Sequence, residues 1–311
     1  MPEPSTPTPT DISDDIWQDG AREPINNLKR ALESRAGTQT PMNNFSLARA
    51  DLQGVNLVNR GAKQGYSLTN SDLYRANLEK AHLFMIDLSG SSLMKANLVD
   101  ANLHYANLDG CNLLGVNLKG AKVEHVNWGT HITQELQARK AEGLENRLDL
   151  YQQAEEIYRH LRQTAEYQGL FELAGHFFQK EMTMRRKQMP KISTSRCISK
   201  LVDIFCGYGE RPLRVIMFSV SLIVLFATLY FFAGLSFSGE SLGFDSSIGF
   251  WENVKVFLGA LYFSVVTFTT LGYGDVAPVG GLARALAATE AFLGSFTLAL
   301  FVVVFVKKMT R

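Results

Sequence analysis

The chain runs to 311 residues, long enough for more than one domain. Lys and Arg number 31 against 30 Asp and Glu, a net charge of +1, and that balance excludes the basic footprint of a nucleic-acid partner. Three cysteines, Cys111, Cys197 and Cys206, form an odd set without framework spacing and exclude a secreted disulfide fold.

Residues 1–42 begin with a tail, Met1 to Asp15, that is mostly Pro, Thr, Ser and Asp. It lacks the apolar core and basic start of a signal peptide and reads as disordered. A short helix is expected near Ile25 to Ser34.

From Leu68 a large apolar residue returns every five positions, through Leu73, Leu78 and so on to Leu118, then Val123 and Trp128. Two places before most of them stands a smaller apolar residue, such as Ala76, Ala101, Cys111 or Ala121. The residue between is often Asn or Asp. An earlier run, Leu47, Leu52 and Leu57, has the same period but slips by one across GAKQGYS. A period of five fits neither a helix nor a flat strand. It fits a square solenoid in which each five-residue unit is one side and stacked coils bury the leucines and small residues. Cys111 falls at an inward position and reads as core.

The units Ala76-Asn77-Leu78, Ala101-Asn102-Leu103 and Ala106-Asn107-Leu108 resemble the pentapeptide-repeat family. The resemblance implies a right-handed quadrilateral β-helix of about four coils over residues 43–129. Some members mimic DNA with acidic faces; here the outward positions mix both signs, which favours an assembly or scaffold module. A cytoplasmic partner of the solenoid is left open.

Residues 130–190 lose the period of five. Leu144, Leu148, Tyr151, Ala154, Ile157, Tyr158, Leu161 and Ala165 recur at three and four, which predicts an amphipathic helix. A second helix is expected from Leu170 to Lys187, making a helical hairpin connector. His160 and His176 lack metal-ligand company. Basic residues then gather, among them Arg185, Arg186, Lys187, Lys191, Arg196 and Lys200. Within 191–211, Ser195 to Gly207 reads as an amphipathic interfacial helix beside anionic lipid headgroups. Gly207-Tyr208-Gly209 follows no threonines and precedes Pro212, so it reads as a helix-ending turn.

Residues 212–311 contain two apolar runs, Leu213 to Leu235 and Leu286 to Val306, each long enough to cross a bilayer core of about 30 Å. Between them Val254 to Leu271 is too short and too polar at its ends to span, and reads as a re-entrant segment. Irregular backbone at membrane depth must be buried in protein or line a cavity. Arg196, Lys200, Arg211 and Arg214 flank the first run; Lys307, Lys308 and Arg311 end the second. The positive-inside rule then places both termini and the solenoid in the cytoplasm.

The order span, short helix, Thr270-Leu271-Gly272-Tyr273-Gly274, span resembles the two-transmembrane potassium channel family from Leu213 to Val306. The filter of that family reads Thr-Val-Gly-Tyr-Gly, so Leu271 stands for valine. The resemblance implies an all-α pore domain with a re-entrant pore helix, and potassium held by the oxygens of Thr270, Leu271, Gly272 and Tyr273. It makes Asp275 the acidic residue of the outer mouth, and turns Tyr273 outward to pack on the pore helix. The family often has a glutamate where this chain has Val266, and Tyr262 or Trp251 is the substitute donor to Asp275. Gly294 matches a gating hinge, with close helix packing as the other reading. Ser295, Leu298 and Val302 would line the cavity. One chain supplies one quarter of a filter, so a homotetramer follows. Glu290 is an intramembrane carboxylate, expected either to pack behind the filter or to be neutralised by its proton.

No voltage sensor precedes the pore, no nucleotide- or calcium-binding domain follows it, and no catalytic constellation appears, so the chain reads as a non-enzyme without a cofactor. Gating input is expected through the solenoid, the membrane or pH. The leading reading is a multi-pass potassium channel of the plasma (inner) membrane with potassium as the permeant ion. A weakly selective cation channel and a membrane-anchored scaffold are the alternatives.

Overall fold

The computed structural model describes residues 17–19, 27–38, 40–237, 240–247 and 249–310. The tail from Met1 to Asp15 and the first residues of the expected short helix lie outside them. The chain divides into two units, Met1–Ser193 and Thr194–Arg311.

In the first unit every fifth residue from Asn70 to His125 has positive φ, at glycines such as Gly90 and Gly110 and at non-glycine residues such as Arg75 and Tyr105. Each left-handed residue closes a turn whose small residue donates its N–H to the leucine carbonyl three back, as Ala76 does to Leu73 at 3.0 Å. The chain thus bends once per five residues. Parallel bridges stack the sides in four ladders, for example Ser46–Asp72–Ser92–Asn112 and Ser67–Asp87–Asn107–Asn127. Leu98, Ala101, Leu103 and Ala106 are fully buried between them. The preference for Asn or Asp has its own cause. Asn127 donates its side-chain amide to Asn107 Oδ1 at 2.9 Å, and Asn107 donates to Asp87 Oδ1 at 2.9 Å. The same Asn107 Oδ1 accepts the N–H of Asp109, two residues on, at 3.3 Å. Cys111 is buried, with its Sγ 3.0 Å from Leu88 O, and burial pushes its thiol up to about 12, so it is an inert core residue.

The slip in the repeat has a different size from the one its period suggests. Asp51 pairs with Asn77 across 26 residues, whereas Asn77 pairs with Asn97 across 20. The first coil therefore carries a six-residue insertion between Asn56 and Ser67. Periodicity reports position only modulo five, so an insertion of six looks like a slip of one.

Both open ends of the solenoid are covered. Helix α1, Leu28–Gly37, puts Leu32 and Ala36 into the same core as Trp17, which stacks on Phe45 with ring centroids 4.9 Å apart. At the other end lie α2 (Thr133–Lys140), α3 (Leu144–Tyr167) and α4 (Phe171–Gln188). This is one helix more than a hairpin. Helices α3 and α4 share the solenoid core, with Phe177 edge-on to Trp128 at 5.8 Å. The last coil would otherwise expose its interior, which is why repeat arrays need caps.

The cap encloses Glu135, 2 % exposed, on α2. Arg139 and Lys187 reach its Oε1 at 2.8 and 3.3 Å, Lys180 its Oε2 at 3.7 Å, and Tyr158 donates to Oε2 at 3.0 Å. Burial alone would raise this carboxyl; Lys180, Arg139 and Lys187 overcome it and hold the group below the ordinary carboxylate value of 4.5.

The second unit holds α5 (Thr194–Cys206), α6 (Pro212–Ala233), β1 (Leu235–Phe237), β2 (Glu240–Leu242), α7 (Phe250–Phe268), β3 (Val276–Pro278) and α8 (Gly280–Met309). Helices α6 and α8 are long and apolar enough to cross a membrane. Proline begins α6, where its missing N–H costs nothing. Helix α7 packs on α6 and α8 through Phe226, Tyr230, Ala260 and Phe263. The strands form an antiparallel sheet of order β2-β1-β3.

A pH test of the cap follows from Glu135. Its folded value is depressed, so its contribution is present above the unfolded value and is lost as pH falls through the folded one. Thermal unfolding of the detergent-solubilised chain, read by circular dichroism, should show stability falling on acidification below the ordinary carboxylate value of 4.5. Glu135→Gln should be less stable than the parent at neutral pH and lose less on acidification; parallel pH profiles would contradict this.

Candidate ion pathway

Helix α7 runs directly into the segment Thr269 to Asp275. Thr270 N–H donates to Thr267 O at 3.0 Å, and Val266 O accepts from both Leu271 N–H at 3.0 Å and Gly272 N–H at 3.4 Å. The helix end therefore orients the start of the segment with its own unpaired carbonyls. Beyond it φ alternates in sign. Thr270, Gly272 and Gly274 have φ of 57°, 56° and 80°, and Leu271 and Tyr273 are not among the positive-φ residues. Two of the three left-handed positions are glycine, where that conformation carries no Cβ penalty.

The other Gly-Tyr-Gly is built differently. Gly207, Tyr208 and Gly209 are positive in succession, at 56°, 57° and 81°. Gly207 N–H donates to Asp203 O at 2.9 Å, and the Tyr208 hydroxyl lies 2.8 Å from Ser199 Oγ. It ends α5 and turns the chain into α6. The same three letters thus carry two backbones.

At the far end of the segment Tyr262 Oη donates to Asp275 Oδ2 at 2.9 Å. Of the two substitute donors for Asp275, Tyr262 makes the contact, while Trp251 lies exposed and edge-on to Phe250. Val266 is buried. Strand β3 begins one residue after Asp275 and pairs with β1, Val276 opposite Phe237. The segment is thus held at both ends. Its own side chains are not covered: Leu271 is 58 % and Tyr273 69 % exposed.

Gly294 on α8 meets the C-terminus of α7. A Cβ there would stand 2.1 Å from Phe268 O, so the contact admits only glycine. Packing thus accounts for this residue. Ser295, Leu298 and Val302 are spaced three and four apart and are exposed along one face of α8. Glu290 lies off that face and is fully buried. Its Oε2 accepts from Tyr230 Oη on α6 at 2.7 Å, and its Oε1 lies 2.5 Å from Ser264 Oγ on α7. Sequence reading singled out Glu290 but had no signal for these partners, which lie on two other helices.

At the opposite end of α8, Lys307 Nζ lies 2.7 Å from Glu210 Oε1, in the turn before α6. Arg214 Nη1 donates to Asp203 O at 2.8 Å, tying α6 to α5. Cys206, Val215 and Val304 bury a small core beside these contacts.

Comparison with known proteins places these features. Residues 218–311 match the family model described as ion channel, and residues 71–104 and 96–127 match pentapeptide repeats in eight copies. A two pore potassium channel a from Oryza sativa subsp. japonica is 51 % identical over 45 residues, 14 % of this chain and 13 % of that protein. The chain thus matches only a small part of the length of this relative. Among solved structures, alr5209, a pentapeptide repeat protein from Nostoc, is 31 % identical with a TM-score of 0.23, over 32 % of this chain and 78 % of that one. HetL, another pentapeptide repeat protein from Nostoc, is 32 % identical with a TM-score of 0.16, over 26 % of this chain and 38 % of that one. Residues 218–311 are thus similar to ion-channel domains and residues 71–127 to pentapeptide repeats, and two helices are long and apolar enough to cross a membrane.

The Gly294 contact gives a direct test. Gly294→Ala drives a methyl against the Phe268 carbonyl and should cost about 1–3 kcal/mol by overpacking. Thermal unfolding of the solubilised protein reads this as a lowered Tm. An unchanged Tm would mean that α7 and α8 are not in this contact.

Proposed function

We propose that the chain is one subunit of a homotetrameric, potassium-selective channel of the inner membrane, conducting passively through Thr270 to Gly274. The observation that carries this reading is the alternation of φ at Thr270, Gly272 and Gly274 immediately beyond a helix C-terminus. A potassium ion leaves water only if protein oxygens replace its hydration shell at little net cost. Carbonyls of Thr270, Leu271, Gly272 and Tyr273, aimed one way from each of four chains, make rings that do so, and the Thr270 hydroxyl adds an oxygen at the inner mouth. The negative end of the α7 dipole favours a cation there.

The exposed side chains of the single chain support an assembly. Leu271, Tyr273, Phe292 and Phe296 are all exposed, and neighbouring copies would cover them. Ser295, Leu298 and Val302 would face the cavity. A hinge role for Gly294 would come on top of its packing contact.

The remaining parts take supporting roles. Helix α5 exposes Ile198, Leu201, Val202 and Ile204 and carries Arg196 and Lys200, the pattern of a helix lying among anionic headgroups. With α5 on the cytoplasmic face, both termini are cytoplasmic. The pentapeptide repeats, as a right-handed β-helix, serve assembly or regulation. Gating input would reach α8 through the Glu210–Lys307 contact.

Potassium flux into liposomes by the purified protein tests the reading, with Gly272→Asp in parallel. Flux that favours potassium over sodium and vanishes in the variant is expected. Equal flux of both ions would contradict selectivity, and flux unaffected by the variant would contradict the filter assignment. A second test addresses the Glu210–Lys307 contact. Glu210→Lys should change the open fraction by a factor worth about 1 kcal/mol, and Glu210→Lys with Lys307→Glu should restore it. Additive effects would mean that the pair is not coupled to the gate.

A further inference from the structure

The contacts around Glu290 can be counted hydrogen by hydrogen. Ser264 Oγ lies 2.8 Å from Ile223 O and 2.5 Å from Glu290 Oε1. A hydroxyl has one hydrogen, and a carbonyl oxygen can only accept. If Ser264 donates to Ile223 O, the hydrogen between Ser264 and Glu290 must come from Glu290. Tyr230 Oη supplies the hydrogen on the other side, donating to Oε2 at 2.7 Å. A neutral carboxylic acid satisfies all three contacts at once. An ionised carboxylate, which only accepts, would have to take the Ser264 hydrogen away from Ile223 O.

The surroundings agree. Glu290 is fully buried, and Phe263 and partly buried Leu286, Ala287 and Leu293 belong to the apolar cluster beside it. From α6 the group that faces it is the Tyr230 phenol, and from α7 it is the Ser264 hydroxyl. On its own helix the nearest charged side chain in sequence, Arg284, is exposed. Lys255 on α7 pairs with Glu252, and Arg214 on α6 with Asp203. Among the described residues no ion pair reaches Glu290. A buried carboxylate without a cation is expensive, and its proton removes the cost.

We propose that Glu290 is held as a neutral acid that positions the pore helix, donating to Ser264 and accepting from Tyr230, so that one carboxyl joins α6, α7 and α8. This rests on the channel reading for its consequence: loss of the proton loosens α7, and with it the filter that α7 holds. Potassium flux then falls as pH rises and returns on neutralisation.

The experiment compares the full-length protein with Glu290→Gln and Glu290→Ala. An amide reproduces the neutral acid, with one acceptor for Tyr230 and a donor for Ser264. Two readouts are taken. The first is the infrared C=O band of a neutral carboxylic acid, recorded at neutral pH with deuterium exchange, which requires no conduction. The second is potassium flux in liposomes from mildly acidic to alkaline pH. A neutral-acid band present in the parent and absent from Glu290→Gln is expected, together with an alkaline loss of flux that Glu290→Gln does not share. Glu290→Ala should lose flux by about tenfold at neutral pH, the scale of a hydrogen bond removed from a buried group, and Glu290→Gln should recover most of it. No band difference between the parent and Glu290→Gln would overturn the neutral acid. Parallel pH profiles, or Glu290→Gln as impaired as Glu290→Ala, would overturn the positioning role. A parent with the band but without flux at any pH would leave the acid standing and overturn the coupling to conduction, and with it the channel reading.

Discussion

A row of backbone carbonyls can face one line only if the peptide planes between them all turn the same way. The proposed filter of this chain, Thr270 to Gly274, would be subject to that requirement. It calls for left-handed residues at alternate positions, and Gly272 and Gly274 supply two of the three. Thr270 takes the third at a conformational cost that a β-branched residue bears only when its surroundings impose it. The surroundings do so from both ends. Val266 O accepts two N–H groups at the start of the segment. Tyr262 holds Asp275 at its end, and β3 follows within one residue.

Everything that fixes α7 therefore fixes the segment. Gly294 lets α8 touch the last carbonyls of α7, a contact that one added methyl would spoil. Glu290, Tyr230 and Ser264 tie the three helices together where no other polar side chains are buried among them except Thr297. Within a membrane these contacts would carry particular weight, because an unmet polar group there has no water to turn to. The first unit solves a related problem with another device. Its left-handed residues recur every five positions, and each bends the chain once, so that the carbonyls and N–H groups of one coil meet those of the next.

Much of this was legible in the sequence, for a physical reason in each case. The inward leucine and small residue recur at the period of the bend, so composition reports the coil directly. The decoy Gly-Tyr-Gly at Gly207 was separable because helix and proline signals surround it, and its backbone differs as that context implies. Helices α5, α6 and α8 announce themselves by amphipathic or apolar length. Other features have no local signal. The six-residue insertion is visible only modulo the repeat. Helix α2 is eight residues long and is recognised by what it covers rather than by its own pattern. The packing of Gly294 on Phe268 and the bond from Tyr230 to Glu290, 60 residues apart, depend on the crossing of helices, which a single chain of letters does not encode locally.

Conduction through Thr270 to Gly274 requires that the carbonyls of Thr270 to Tyr273 from several chains meet on one axis. Electron cryomicroscopy of the purified protein in potassium, and again with potassium replaced by an impermeant cation, measures this directly. The predicted result is a fourfold particle with ion density between successive carbonyl rings, lost on replacement. A particle without fourfold symmetry, or a segment whose carbonyls face away from the axis, would contradict it.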